Sequence, residues 1–217
     1  MNDAYARGTD RLAVAVGVVA AGSAVCLATY LAVRGPFGTI NDLGNATIGV
    51  LSAALAWRMR RYLPGRGGDL AVAAATVGAA ITVAGSALVI SRTTGFFLAG
   101  LVSSLGFAGI GAWLIALQRS EHAMVWPRAL RTVGLSAGVL MTLGIIAVPA
   151  IILQLDDMER APAWVWLAEV GWLGIYVLYP AWAIGVGLVE ARQGGQTRSV
   201  ERDGADEGAE VRSWTGG

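Results

Sequence analysis

Residues 12–33 read LAVAVGVVAAGSAVCLATYLAV and contain no charged side chain, with Arg11 before the run and Arg34 after it. A helix needs about 20 apolar residues to cross the hydrocarbon core of a bilayer. The run exceeds the apolar region of a secretory signal peptide, and no small-residue cleavage motif with polar sequence follows it. It therefore predicts a transmembrane helix that is retained in the protein.

The rest of the chain repeats this pattern. Of its 217 residues 55% are hydrophobic and 14% are charged, whereas soluble domains carry about 25% charged residues. Backbone groups in lipid must be hydrogen-bonded internally, and no run alternates like a barrel strand, so each run is predicted to be a helix. The six runs are Leu12–Val33, Ile40–Trp57, Leu70–Ile90, Phe96–Leu117, Val133–Leu153 and Ala163–Val189. The predicted fold is an all-α, six-helix membrane bundle.

The basic residues predict the orientation of this bundle. All sixteen are arginine. With the N-terminus inside, thirteen fall on the cytoplasmic side, and Arg34, Arg92 and Arg160 fall outside. This positive-inside bias predicts that both termini are cytoplasmic. The absence of lysine and the wealth of Ala, Gly and Arg indicate a GC-rich bacterial genome, hence the bacterial plasma membrane. Residues 190–217 are polar and are predicted to form a disordered cytoplasmic tail.

The second run begins with a polar stretch, GPFGTINDLGNA, residues 35–46. Thr39 and Asp42 match the spacing of a capping box, in which each side chain bonds the other residue's backbone amide. On this interpretation Asn41 and Asp42 only begin a helix near the outer interface. Helix initiation explains Asn45 less well, because Asn45 lies one turn deeper.

A second interpretation of the same stretch places it inside the bundle. Asp42, Asn45, Gly49 and Ser52 follow i, i+3, i+7 and i+10, so they share one helix face. That face is predicted to point toward the other helices.

The sixth run carries a carboxyl group, which is costly within a bilayer and marks a candidate functional residue. Glu169, Trp172, Tyr176 and Tyr179 form one stripe at helical spacing. Pro180 cannot donate to the Tyr176 carbonyl, so a kink with a free acceptor is expected. The stripe is consistent with a functional polar cavity, a structural hydrogen-bond network, a contact with a partner helix, or an aromatic belt.

These two polar stretches predict one pocket that opens to the outside. Glu169 would form its floor, Asp42 and Asn45 its rim, and Arg34 or Arg92 would supply the counter-charge. The nearby loop DDMER, residues 156–160, is either solvated or able to recruit a cation.

Several chemistries are excluded by composition. Without lysine no retinal Schiff base forms, and the single His122, in a loop, cannot support a membrane haem. The single Cys26 excludes dithiol chemistry, and no phosphate-binding or HExxH motif is present. We therefore expect no cofactor, no metal and no catalytic residue.

Small residues predict how the helices associate. Gly134 and Gly138 form a GxxxG motif, and Gly106, Gly109 and Gly111 crowd the fourth run. Such residues allow close helix packing in lipid. They are compatible with a compact bundle, and also with a homodimer or a membrane partner protein. No nucleic-acid partner is expected.

The segment FGTINDLGNA, residues 37–46, resembles one common in uncharacterised small multipass membrane proteins of bacteria. The resemblance implies no activity. The predicted function is binding or transport of a small solute, ion or lipid through the outer-facing cavity. The alternative is a non-catalytic scaffold or partner subunit whose polar residues are structural.

Overall fold

Six helices account for most of the computed structural model, which describes residues 3–193 and the side chains of residues 8–193. The helices are α1 (Asp3–Val33), α2 (Phe37–Arg58), α3 (Gly65–Ile90), α4 (Phe96–Arg119), α5 (Arg128–Ile152) and α6 (Ala163–Gln193). No strand occurs within residues 3–193. The prediction of an all-α fold is confirmed for this part of the chain.

Five of these helices, all except α2, are long and apolar enough to cross a membrane. Their outer faces leave many large apolar side chains exposed, among them Val25, Leu70 and Ile152. This supports a membrane-embedded protein. Helix α2 has 22 residues, but its two asparagines and its aspartate lower its mean hydropathy.

The helices run alternately between two ends of the bundle. At the end where α1 stops, the Tyr30 ring lies 5.2 Å from the ring of Phe96, the first residue of α4. At the opposite end, the Tyr62 ring lies 5.2 Å from that of Trp126, and Glu190 bonds both side chains. We refer to these as the Tyr30 end and the Glu190 end. Consecutive helices are therefore antiparallel.

Two helices depart locally from α geometry. Helix α5 changes to a 3₁₀ segment at Leu143–Ala147, just before Pro149. In α6, residues Gly174–Leu178 form a π-helical turn before Pro180. A proline removes one backbone donor from a helix. A π-helix occurs mostly as a single turn within an α-helix, as it does here. The irregularity expected near Pro180 therefore takes the form of a π turn.

Glycines allow the helices to pack closely within the chain. A side chain at Gly78 would collide with the Gly106 backbone on α4, and one at Gly138 would collide with Gly111. Gly134 packs against Trp182 of α6. These small-residue faces therefore make contacts inside the bundle. The homodimer stays a prediction.

Several helix boundaries differ from those expected. Helix α2 begins at Phe37, so Thr39 lies inside it and no side chain caps its start. The predicted capping box is therefore wrong. Helix α5 begins at Arg128, five residues before the expected start at Val133. Helix α6 continues through Glu190 to Gln193, so the expected tail begins later. Residues 194–217 of that tail lie outside the described residues.

Candidate functional site

A crevice lies near the Tyr30 end, between α1, α2, α4 and α6. Its polar lining comes from α2, from two serines of α4 and from Tyr176 of α6, and its aromatic walls include Phe96, Phe107 and Trp172. Its volume is about 350 Å³ with its open part included. In this conformation the crevice has room for an ion or one or two waters.

The inner face of α2 supplies the most polar wall. Asn41, Asp42 and Asn45 are 2%, 9% and 6% exposed. Gly49 and Ser52 are buried on the same face. The prediction that this face points into the bundle is confirmed.

The two asparagines are held by hydroxyl groups from other helices. Ser23 of α1 donates to the Asn41 side-chain oxygen at 2.9 Å, and Tyr176 of α6 donates to the Asn45 side-chain oxygen at 2.9 Å. Sequence reasoning did not single out Ser23. Ser23 is a hydroxyl residue in an otherwise apolar run, and the sequence of that run does not reveal its partner on another helix.

A further pair ties α6 to α4 beside the crevice. The Trp172 indole N–H donates to the Ser104 hydroxyl at 3.2 Å, and the Trp172 ring meets Tyr176 edge-on at 6.3 Å. Ser103 and Ser104 are both buried. Neither serine was predicted, because serine in a membrane helix commonly bonds its own backbone.

The Asp42 carboxylate has no such partner. No described residue donates a hydrogen bond to it or forms an ion pair with it. The expected counter-charges lie elsewhere in the structure. Arg34 is exposed, with its guanidinium 5.4 Å from the Tyr30 ring centre, and Arg92 is exposed in the turn after α3. Neither arginine lines the crevice.

Glu169 lies outside the crevice lining, nearer the Tyr30 end than Trp172. It is partly buried, and one of its carboxyl oxygens, Oε1, is buried with no hydrogen-bond partner among the described residues. The predicted arrangement is therefore inverted, because Asn45 and Tyr176 lie deepest and Glu169 lies toward the end of the bundle.

The fourth member of the α6 stripe lies below the crevice. The hydroxyls of Tyr179 and Ser52 are 2.8 Å apart, and Tyr179 stacks on Trp182 at 5.7 Å in the core. The stripe thus divides into a crevice part, Trp172 and Tyr176, and a core part, Tyr179.

A second carboxyl centre lies at the Glu190 end. Glu190 accepts hydrogen bonds from the Tyr62 hydroxyl at 2.8 Å, the Trp126 indole at 3.2 Å and the Arg61 guanidinium at 3.2 Å. We refer to these four residues as the Glu190 cluster. Burial, together with the hydrogen bond to Glu190, raises the pKa of Tyr62 to about 12. Placing Glu190 in a disordered tail is therefore wrong. Trp126 is buried within the same cluster.

The acidic loop at the Tyr30 end is used locally. The Asp156 carboxylate accepts the backbone N–H groups of Gly95 and Leu98, which caps the start of α4. Asp157 pairs with Arg160 at 3.2 Å. Within the described part of the chain, no three His, Cys, Asp or Glu residues are grouped to hold a metal ion.

The roles of these residues rest on geometry. No family model matches the chain, and neither a curated protein nor a solved structure shows significant similarity to it.

Proposed function

We propose that α2 is a sixth membrane span and that the protein lies in a bacterial plasma membrane with both termini cytoplasmic. Helix α2 runs from the Tyr30 end to the Glu190 end like its neighbours, and Ile40, Leu43 and Val50 on its outer face are about half exposed. The arginine-rich segments near Arg61 and Arg131 lie toward the Glu190 end, which supports a cytoplasmic location for that end. The crevice then faces the outside.

We propose that this crevice binds, or passes across the membrane, an ion or a small solute. The observation that carries the proposal is Asp42, a buried carboxylate that lies in a polar crevice and has no partner within residues 8–193. An unpaired charge in a membrane helix is costly and is rarely retained for structure alone. The free space suits an ion or very small solute better than a lipid.

A structural role for the crevice is the alternative, and one observation favours it. The other polar groups are already joined to one another, since Ser23 bonds Asn41, Tyr176 bonds Asn45 and Trp172 bonds Ser104. Such pairs would hold α1, α2, α4 and α6 together in a scaffold that binds nothing.

Cysteine accessibility separates the two functions. In a Cys26→Ser background, Gly100→Cys places a thiol in the crevice lining, where an added side chain first meets Trp172 at 3.9 Å. Ser86→Cys places one at a buried position outside the crevice. A membrane-impermeant methanethiosulfonate added to intact cells should modify the first thiol and spare the second. If both thiols are spared, the crevice is closed and the scaffold is favoured.

Variants of the two carboxyl residues then test whether the crevice binds or passes ions. Ion-dependent uptake into vesicles should be lost in Asp42→Asn and reduced in Glu169→Gln, with expression unchanged. A scaffold predicts instead that both variants are silent and that cross-linking captures the same partner protein in each.

A further inference from the structure

We propose that the crevice is a binding site for one monovalent cation of about the size of sodium or ammonium, held by the Asp42 carboxylate. This inference rests on the proposed function and specifies its ligand. Among the described residues of the lining, Asp42 is the only carboxylate and none is basic.

The charge balance selects a cation of single charge. One monovalent cation neutralises one carboxylate and removes the cost of an isolated buried charge. Calcium needs six to eight oxygen ligands, commonly several of them carboxylates, and magnesium requires a strict octahedron. The lining offers neither set, and an anion would face Asp42 with no basic residue to hold it.

The neutral groups around Asp42 suit a monovalent cation. The side-chain oxygen of Asn41 accepts a hydrogen bond from Ser23, and a carbonyl oxygen has a second lone pair for a further partner. The side-chain oxygen of Asn45 is already met by two hydroxyls, Tyr176 at 2.9 Å and Ser23 at 3.4 Å. The aromatic walls add a surface that attracts cations over their ring faces.

The size of the crevice and the carboxyl group nearer the end of the bundle also suit a monovalent cation. The crevice has room for one or two water-sized bodies, which suits sodium, ammonium or a cation with one water. Glu169, with an unpaired buried oxygen, lies nearer the end of the bundle. A second negative group there would raise the local concentration of cations.

Thermal unfolding in lipid nanodiscs tests the proposal. Sodium chloride is titrated against N-methyl-D-glucamine chloride at constant ionic strength, and parallel titrations use ammonium, potassium and magnesium chlorides. Sodium or ammonium should raise the unfolding temperature saturably, and magnesium should not. Asp42→Asn should weaken this effect at least about 100-fold, as expected for removal of one partner of a buried ion pair. Asp157→Asn, an exposed carboxyl at the same end, should leave it unchanged.

Two further measurements keep the test decisive. If Asp42→Asn does not fold, Asn41→Ala replaces it and should weaken the cation effect about tenfold. The same cations should protect Gly100→Cys from the thiol reagent. If the thiol is labelled but the cations neither protect it nor shift the unfolding temperature, the cation site is overturned and the open crevice remains. A shift produced by lowering pH alone would identify a proton as the only ligand and would also overturn it. Absence of labelling would overturn the proposed function itself.

Discussion

The Glu190 cluster and the crevice place similar groups at opposite ends of the bundle. Each has a carboxyl in the helix bundle, a tyrosine hydroxyl and a tryptophan indole. Glu190 is met by three donors, one of them the Arg61 guanidinium. Asp42 is met by none among the described residues.

The difference shows that both carboxylates are buried to some extent but only Glu190 has a cationic partner in the part of the chain that the structure describes. A buried carboxylate with its charge and lone pairs satisfied stabilises only modestly, but removing its partner is strongly destabilising. The Glu190 cluster therefore joins α6 to the loops after α2 and α4. The crevice leaves its carboxylate uncompensated, which is the pattern of a site that gives up stability for function.

The largest effect is expected at Glu190. Glu190→Ala leaves the Arg61 guanidinium and the Tyr62 hydroxyl without their acceptor and should lower the free energy of unfolding by about 2–4 kcal/mol. Unfolding by SDS in mixed micelles, followed by tryptophan fluorescence, measures this loss. Glu121→Ala, an exposed carboxyl at the same end, is the control. A loss at Glu190 below about 0.5 kcal/mol would remove the contrast between the two regions.

Asp42 should respond in the opposite direction. Asp42→Asn removes an uncompensated buried charge and should raise the free energy of unfolding by about 1–3 kcal/mol in sodium-free buffer. The same SDS titration measures it, with Asp157→Asn expected to stay within about 0.5 kcal/mol of wild type. A destabilised Asp42→Asn protein would show that the carboxylate has a structural partner.

Two tyrosines of the same stripe sharpen the comparison. Tyr176→Phe and Tyr179→Phe each remove one hydrogen bond and should each cost about 0.5–1.5 kcal/mol. Only Tyr176→Phe should also change sodium affinity, because Tyr179 lies in the core beside Ser52. Sodium titration of the unfolding temperature distinguishes them, and equal affinities in both variants would contradict the assignment.

The smallest effect concerns pH at the Glu190 end. The pKa of Tyr62 rises from 10.0 to about 12, first through burial and then through its hydrogen bond to Glu190. Because this pKa is higher in the folded state, the neutral phenol stabilises the protein below pH 10, and that contribution is lost as pH rises toward 12. Tyr62→Phe should flatten the fall in unfolding temperature over this range. An unchanged slope would show that another group causes it.

The parts of the site that could be predicted are those that depend on helical period. The inward face of Asp42, Asn45 and Ser52 follows from spacing alone, because residues three and seven positions apart share a helix face. The alignment of Trp172, Tyr176 and Tyr179 along α6 follows in the same way. The pairing of Ser23 with Asn41 and of Trp172 with Ser104 does not, because spacing along one helix carries no information about its neighbours.

The capping box and the disordered position of Glu190 were both predicted from local sequence, and both predictions are wrong. Thr39 and Asp42 have the spacing of a cap, but Pro36 and Phe37 begin the helix earlier, so that Asp42 falls within the bundle. Glu190 follows the last apolar run and precedes a polar segment, so local composition suggested a tail. Arg61, Tyr62 and Trp126 approach it from distant parts of the chain and hold it in the helix.

The sequence by itself determined that this is a helical protein with an apolar circumference, because the length and period of apolar runs are local properties and the backbone in lipid must satisfy its own hydrogen bonds. Only the tertiary structure decided which carboxylate is paired and which is not. That outcome depends on donors brought together from separate helices, and packing alone sets those distances.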